Sequence, residues 1–199
     1  MKIIYQPLKK LWISQTFGEN RACINDDNEV IGCDGNNPPE GYKSLYGPQG
    51  HKGVDLVAPH GDEVYAAQRG VVYRIDPNKW SGLDVRIESE IDGRKIRHIY
   101  EHLSGYQPQK GDYIETGQVI GWVGNTGLSS GAHLHFEVHE NIDGIWTPVD
   151  PMSVMEQIPA YQILAINNTL TYITEQVATI ADNIANYLRR SGTKRSVGN

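Results

Sequence analysis

No stretch of this 199-residue sequence approaches the roughly 20 consecutive apolar residues that cross a bilayer, so no membrane span is expected. The N-terminal run MKIIYQPLKKLWISQ is interrupted by Gln6, Pro7, Lys9 and Lys10, which denies it the apolar centre of a signal peptide. Positive charge is scarce: 18 Lys and Arg face 24 Asp and Glu, and a net charge of −6 gives no basis for a nucleic-acid partner. There is no H-E-x-x-H, hence no helix-borne glutamate to act as general base beside a metal. Cysteine is nearly absent. Cys23 and Cys33, with nine residues between them and no local His, match no common zinc pattern. A disulfide closing that loop and a pair of free thiols are both compatible with the spacing.

What is present is ordinary globular composition, 39% hydrophobic and 9% aromatic, over a length that fits one domain and an appendage. The expected domain covers residues 1–155, with a loop-like insertion rich in Asn, Asp, Gly and Pro over 19–50. Short alternating or apolar runs at Glu63–Ala67, Val71–Ile75, Asp84–Ile87, Lys95–Leu103, Val119–Val123 and Leu134–His139 are split by turn residues. They predict a mostly β domain: a small antiparallel sheet structure, barrel-like or sandwiched. After Pro151 the period changes. Ile163, Ile166, Leu170, Ile173, Val177, Ile180, Ile184 and Tyr187 step by alternating threes and fours, about three and a half heptads within an amphipathic helix over 156–190. One core position holds Ile, Leu, Val and Ile, the other Ile, Ile, Ile and Tyr, and isoleucine at this second position packs poorly in parallel dimers and favours trimers or tetramers. A basic tail, 191–199, follows.

The seven histidines carry the chemistry. His133 and His135 alternate on a strand, so both imidazoles leave one face, with Cα atoms about 6–7 Å apart. That spacing suits one direct metal ligand with a second imidazole beside it. His51 and Asp55 would stand roughly 13 Å apart on a straight strand, too far for one ion; a bend at Gly53 could bring them to one centre. His51, Asp55 and one of the His133/His135 pair then make a three-ligand N/N/O set, the signature of a catalytic rather than a structural zinc site. His102 is another strand-borne imidazole. His98 is expected on the same strand face as His102 but four residues away, and His139 stands likewise to His135. Both, with His60 in a Pro-His-Gly turn, are read as bystanders. Glu137, on the His135 face, is read as a hydrogen-bond acceptor for that imidazole or a buried structural partner.

These residues sit in a longer series: Ile13-Ser-Gln-Thr-Phe-Gly18, His51-Lys-Gly-Val-Asp55, Gly61-Asp-Glu-Val-Tyr-Ala66, Gly70-Val-Val72, Tyr100-Glu-His-Leu-Ser104, Lys110 to Gly121, Gly124-Asn-Thr-Gly127, Gly131-Ala-His-Leu-His-Phe-Glu137 and Pro148-Val-Asp-Pro151. The series resembles the lysostaphin-like (LytM-type) zinc metallopeptidases, which hydrolyse peptide cross-bridges of bacterial peptidoglycan. The resemblance covers roughly residues 14–155. It implies one Zn²⁺ held by His51, Asp55 and His135, with His102 and His133 as the catalytic histidines; Tyr46, shortly before His51, is a candidate substrate contact at the cleft. The insertion and the helix lie outside it.

The implied substrate lies beyond the cytoplasmic membrane, yet no export signal is visible. Carriage on a phage tail reconciles the two, with the enzyme opening the wall locally during DNA entry. The helical segment would then form a homo-oligomer, a trimer by its core residues, or bind other virion tail proteins. The competing readings are a free lysin, a bacterial wall-remodelling enzyme, and a non-catalytic structural or binding module of the same fold. Degenerate relatives lose ligands, whereas all five histidine and aspartate positions are filled here.

Overall fold

Between Ile13 and Val149 most of the alternating segments pair into one antiparallel sheet in the computed structural model, which describes residues 3–192. In chain order its strands are β1 (Ile13–Gln15), β2 (Val54–Val57), β3 (Gly70–Arg74), β4 (Leu83–Ile91), β5 (Arg94–Leu103), β6 (Tyr113–Ile114), β7 (His133–Ile142) and β8 (Ile145–Val149). Across the sheet they run β6-β3-β4-β5-β7-β2-β1, and β8 also pairs with β7. One edge of β7 lies along β5. The other is shared, by β2 over His133–Phe136 and by β8 over Val138–Ile142.

Strand alternation sorts the two faces of this sheet. Leu134, Phe136 and Val138 of β7 go inward with Val85 and Ile87 of β4, Ile96 and Tyr100 of β5, and Val54 and Leu56 of β2. Val64, Ile120 and Val123 join the same core, supplied by or next to a second sheet of Glu63–Tyr65, Gly105–Tyr106 and Val119–Trp122. Two stacked sheets sharing one core make the sandwich form of the expected architecture; neither sheet closes into a barrel. The odd-numbered residues of β7 face away from the core, and that opposite face carries the candidate chemistry.

Two features were not legible as elements. Ile4–Gln6 pairs in parallel with Met155–Pro159, so the first residues of the segment read as helix form a strand instead. The 19–50 insertion is ordered as a small sheet of Ala22–Ile24, Val30–Gly32 and Lys43–Ser44. Strands of two or three residues are too short to display a period. The thiol alternative at its centre also resolves: Cys23 and Cys33 form a disulfide, with Cα atoms 5.8 Å apart.

The C-terminal helix spans Ala160–Gly192. Its first turn is seated on the domain. A Cβ on Gly117 would lie 2.2 Å from the Ala160 carbonyl oxygen, and the Tyr161 ring meets Tyr65 at 5.3 Å. From Ala165 to Ile184 every residue is exposed. Among the described residues no helix is long and apolar enough to cross a membrane. Beyond Gly192 the expected basic tail lies outside the described residues.

Candidate metal centre

Asp55 and His135 are register partners across β2 and β7, so two candidate ligands arrive side by side by strand pairing alone. His51 precedes β2 and reaches the same point because the chain passes very close to its neighbours. At Gly53 a Cβ would sit 2.4 Å from the Phe136 carbonyl oxygen. The expected role of Gly53 therefore changes: the position demands absence of a side chain, not a bend through unusual dihedrals. The left-handed residue is Gly50 (φ 70°), where a Cβ would meet the Gly18 carbonyl oxygen at 2.2 Å.

The three side chains converge tightly. His135 Nδ1 lies 2.9 Å from Asp55 Oδ1 and 2.9 Å from His51 Nε2, and His51 Nε2 lies 3.2 Å from Asp55 Oδ1. The remaining nitrogens have partners that assign the ring protons. His51 Nδ1 donates to the Thr16 carbonyl at 3.2 Å, and His135 Nε2 donates to Glu137 Oε1 at 3.0 Å. Each ring thus directs a lone pair at the other and at a carboxylate, a repulsive arrangement unless a cation sits among them. Zinc–ligand bonds of about 2.0–2.1 Å in tetrahedral geometry separate ligand atoms by roughly 3.3 Å, close to the spacings here. The site fits one zinc ion.

The electrostatics say the same. Burial opposes charge on His135, but its hydrogen bonds to Asp55 and Glu137 prevail and raise its pKa to about 10. Burial likewise opposes ionisation of Asp55, and the contacts with His135 and His51 overcome it, holding the carboxyl well below the usual range. A centre that binds an extra proton this firmly is one built for positive charge. Glu101, His135 and Glu137 also cluster. Because His135 Nε2 already donates to Glu137, and Glu101 pairs with Arg86 at 3.3 Å, His135 and Glu137 form a hydrogen-bonded bracket behind the first cluster, with Glu101 beside it. Glu137 in turn accepts from His139 Nε2 at 2.6 Å, so His139 supports the bracket instead of standing apart.

His133 and His102 flank the cluster. His133 Nε2 is 3.5 Å from Asp55 Oδ1, and the His102 ring lies 4.8 Å from that of His133 and 5.8 Å from that of His135. Both donate through Nδ1, to the carbonyls of Gly131 and Thr126, each at 2.8 Å, leaving Nε2 unprotonated, in His133 beside Asp55. Burial, then the neighbouring His135 and His133, lowers the His102 pKa to about 4. Simple alternation would have sent His102 into the core with His98. A register shift between Tyr100 and Leu103, with His102 at φ 64°, turns it outward. The expected shared face of His98 and His102 is therefore corrected. His98 is fully buried, between Ser89 Oγ and the Tyr100 hydroxyl, both at 2.8 Å. His60 is exposed in its turn.

Above the cluster opens a cleft of about 800 Å³, lined by His102 and His133, by Trp80 and Leu128, and by Ala22 and Ile31 of the disulfide-bonded insertion. Tyr46 also lines it, its ring edge-on to His51 at 5.1 Å.

Comparison with known proteins places this geometry in a family. The model of peptidase family M23 matches residues 49–151. Lysostaphin of Staphylococcus simulans is 36% identical over 128 residues, 61% of this chain and 25% of lysostaphin. The peptidoglycan DD-endopeptidase ShyC of Vibrio cholerae is 35% identical over 96 residues, 46% of this chain and 22% of ShyC. The chain thus spans about a quarter of the length of these relatives. A crystal structure of a zinc-containing peptidase from Vibrio cholerae superposes with a TM-score of 0.55 at 26% identity, covering 79% of this chain and 41% of that one. With more than half its residues matched by the family model, this chain belongs to peptidase family M23.

Proposed function

We propose that this chain is a zinc-dependent endopeptidase that hydrolyses peptide cross-links of bacterial peptidoglycan. The observation that carries the reading is the convergence of two imidazole nitrogens and a carboxylate oxygen within 2.9–3.2 Å of one another, flanked by two imidazoles with unprotonated Nε2 atoms. His51, Asp55 and His135 hold the metal. When bound, zinc lowers the pKa of water to about 7 and polarises the scissile carbonyl. His102 and His133 handle protons: each is fixed by an Nδ1–H donor bond, so Nε2 is the nitrogen that can take a proton from the attacking water and return it to the leaving amine. The lowered pKa of His102 keeps it neutral near pH 7. Tyr46 borders the substrate position. The substrate class agrees with the names of the relatives, ShyC being a peptidoglycan DD-endopeptidase.

Two variants test the roles. His135→Ala should lose zinc and activity together. His133→Ala should keep its zinc and lose turnover by about 10²–10⁴-fold. Metal analysis beside muropeptide release from purified sacculi separates them, and a fully active His133→Ala protein would defeat the assignment.

We further propose that the enzyme is carried on a phage tail, where the exposed C-terminal helix attaches it, either to copies of itself or to other tail components. Mass spectrometry of purified particles tests this; absence of the chain from virions would refute it.

A further inference from the structure

We infer that the C-terminal helix joins three copies of this chain in a parallel three-stranded coiled coil, presenting three clefts at one end of a rod. The inference names the partner in the attachment role proposed above and does not depend on the chemistry of the metal centre.

Four observations carry it. First, the apolar side chains Ile166, Leu170, Ile173, Val177, Ile180 and Ile184 are each between 50% and 60% exposed, although they form one stripe. At roughly 100 Å² apiece they amount to about 600 Å² per helix, near one partner's share of a stable interface; left bare, such a patch would be unusual for a soluble monomer. Second, the domain does not cover this stripe. Only the first turn is seated, and the rest of a helix about 50 Å long leaves the domain. Third, spacings of 4, 3, 4, 3 and 4 repeat a heptad, which matches a second copy of itself in register and imposes a left-handed supercoil. Fourth, isoleucine at 166, 173 and 180 fills the core position where two-stranded coils prefer leucine, and Leu170, Val177 and Ile184 fill the other, so three strands accommodate the stripe better than two. Neighbouring positions are mostly Gln, Thr, Asn and Ala, with little charge to select a different partner. Three identical helices related by a closed threefold axis must run parallel, and each is anchored to its domain at its N-terminus. All three domains therefore gather at the same end.

The full chain is the material for the test. Light scattering after gel filtration should return three times the 22.2 kDa chain mass. The double variant Ile173→Glu/Ile180→Glu should fall to one chain mass, because three carboxylates would meet in each of two core layers, while cleaving a short soluble cross-linked peptide as fast per chain as the parent. Leu170→Cys lies off the helix centre, so oxidation should link pairs of chains only in the parallel arrangement; the native cysteines are already bonded to each other. A monomer at tens of micromolar overturns the proposal. Two or four copies, or no Leu170→Cys cross-link, overturn the parallel trimer. Zinc content and wall digestion on the same sample report separately on the peptidase reading: an inactive trimer would sink that reading alone, and an active monomer would sink this one alone.

Discussion

His98 gives the most quantitative expectation. Its ring lies in a one-way chain of hydrogen bonds: Ala67 N–H donates to the Tyr100 hydroxyl at 2.7 Å, that hydroxyl to His98 Nδ1, His98 Nε2–H to Ser89 Oγ, and Ser89 to the Arg69 carbonyl at 2.6 Å. Only the neutral ring completes the chain, because a proton on Nδ1 would confront the Tyr100 hydroxyl. Burial accordingly lowers the His98 pKa from 6.5 to about 3. The sign follows from proton counting. Below pH 6.5 the unfolded chain gains a proton at this position that the folded chain refuses, so stability is full above 6.5 and is lost as pH falls toward 3. With those two values the loss between pH 6 and pH 4 is on the order of 2–3 kcal/mol. His98→Gln removes the titration. It should be less stable at pH 7, by about 1–3 kcal/mol for the broken chain, but its stability should fall less steeply with acid. Urea unfolding at pH 6, 5 and 4, with both proteins stripped of metal by chelator, measures the two slopes. Equal slopes would refute a neutral buried His98.

Three more expectations follow from the metal centre. Gly53→Ala forces a Cβ to 2.4 Å from the Phe136 carbonyl oxygen, so β2 must shift from β7; a loss of about 2 kcal/mol or more in unfolding free energy is expected, with weakened zinc retention. Glu137→Gln cannot accept from both His135 and His139, and should weaken zinc binding by about 10–100-fold in competition with a chromophoric chelator. Removing the metal with chelator should abolish wall digestion while circular dichroism keeps the β signature, since the core of Phe136, Tyr100 and Leu134 does not involve the ligands; added zinc should restore activity.

Local pattern was enough for the strand-borne pair His133 and His135, for the mostly β domain and for a long C-terminal helix, because each depends on a period of two or three and a half residues that neighbours along the chain enforce. It was not enough for His102. Its outward turn is a property of the ladder, where a bulge between Tyr100 and Leu103 breaks the alternation that would have buried it beside His98. Nor could the chain alone say that Gly53 must be bare, since the obstacle is the backbone of Phe136, more than eighty residues away. The Cys23–Cys33 bond, the short strands of the insertion, and the link from His139 through Glu137 to His135 belong to the same class. Each depends on which segments come to lie side by side, and that is settled only when the two sheets close over a common core.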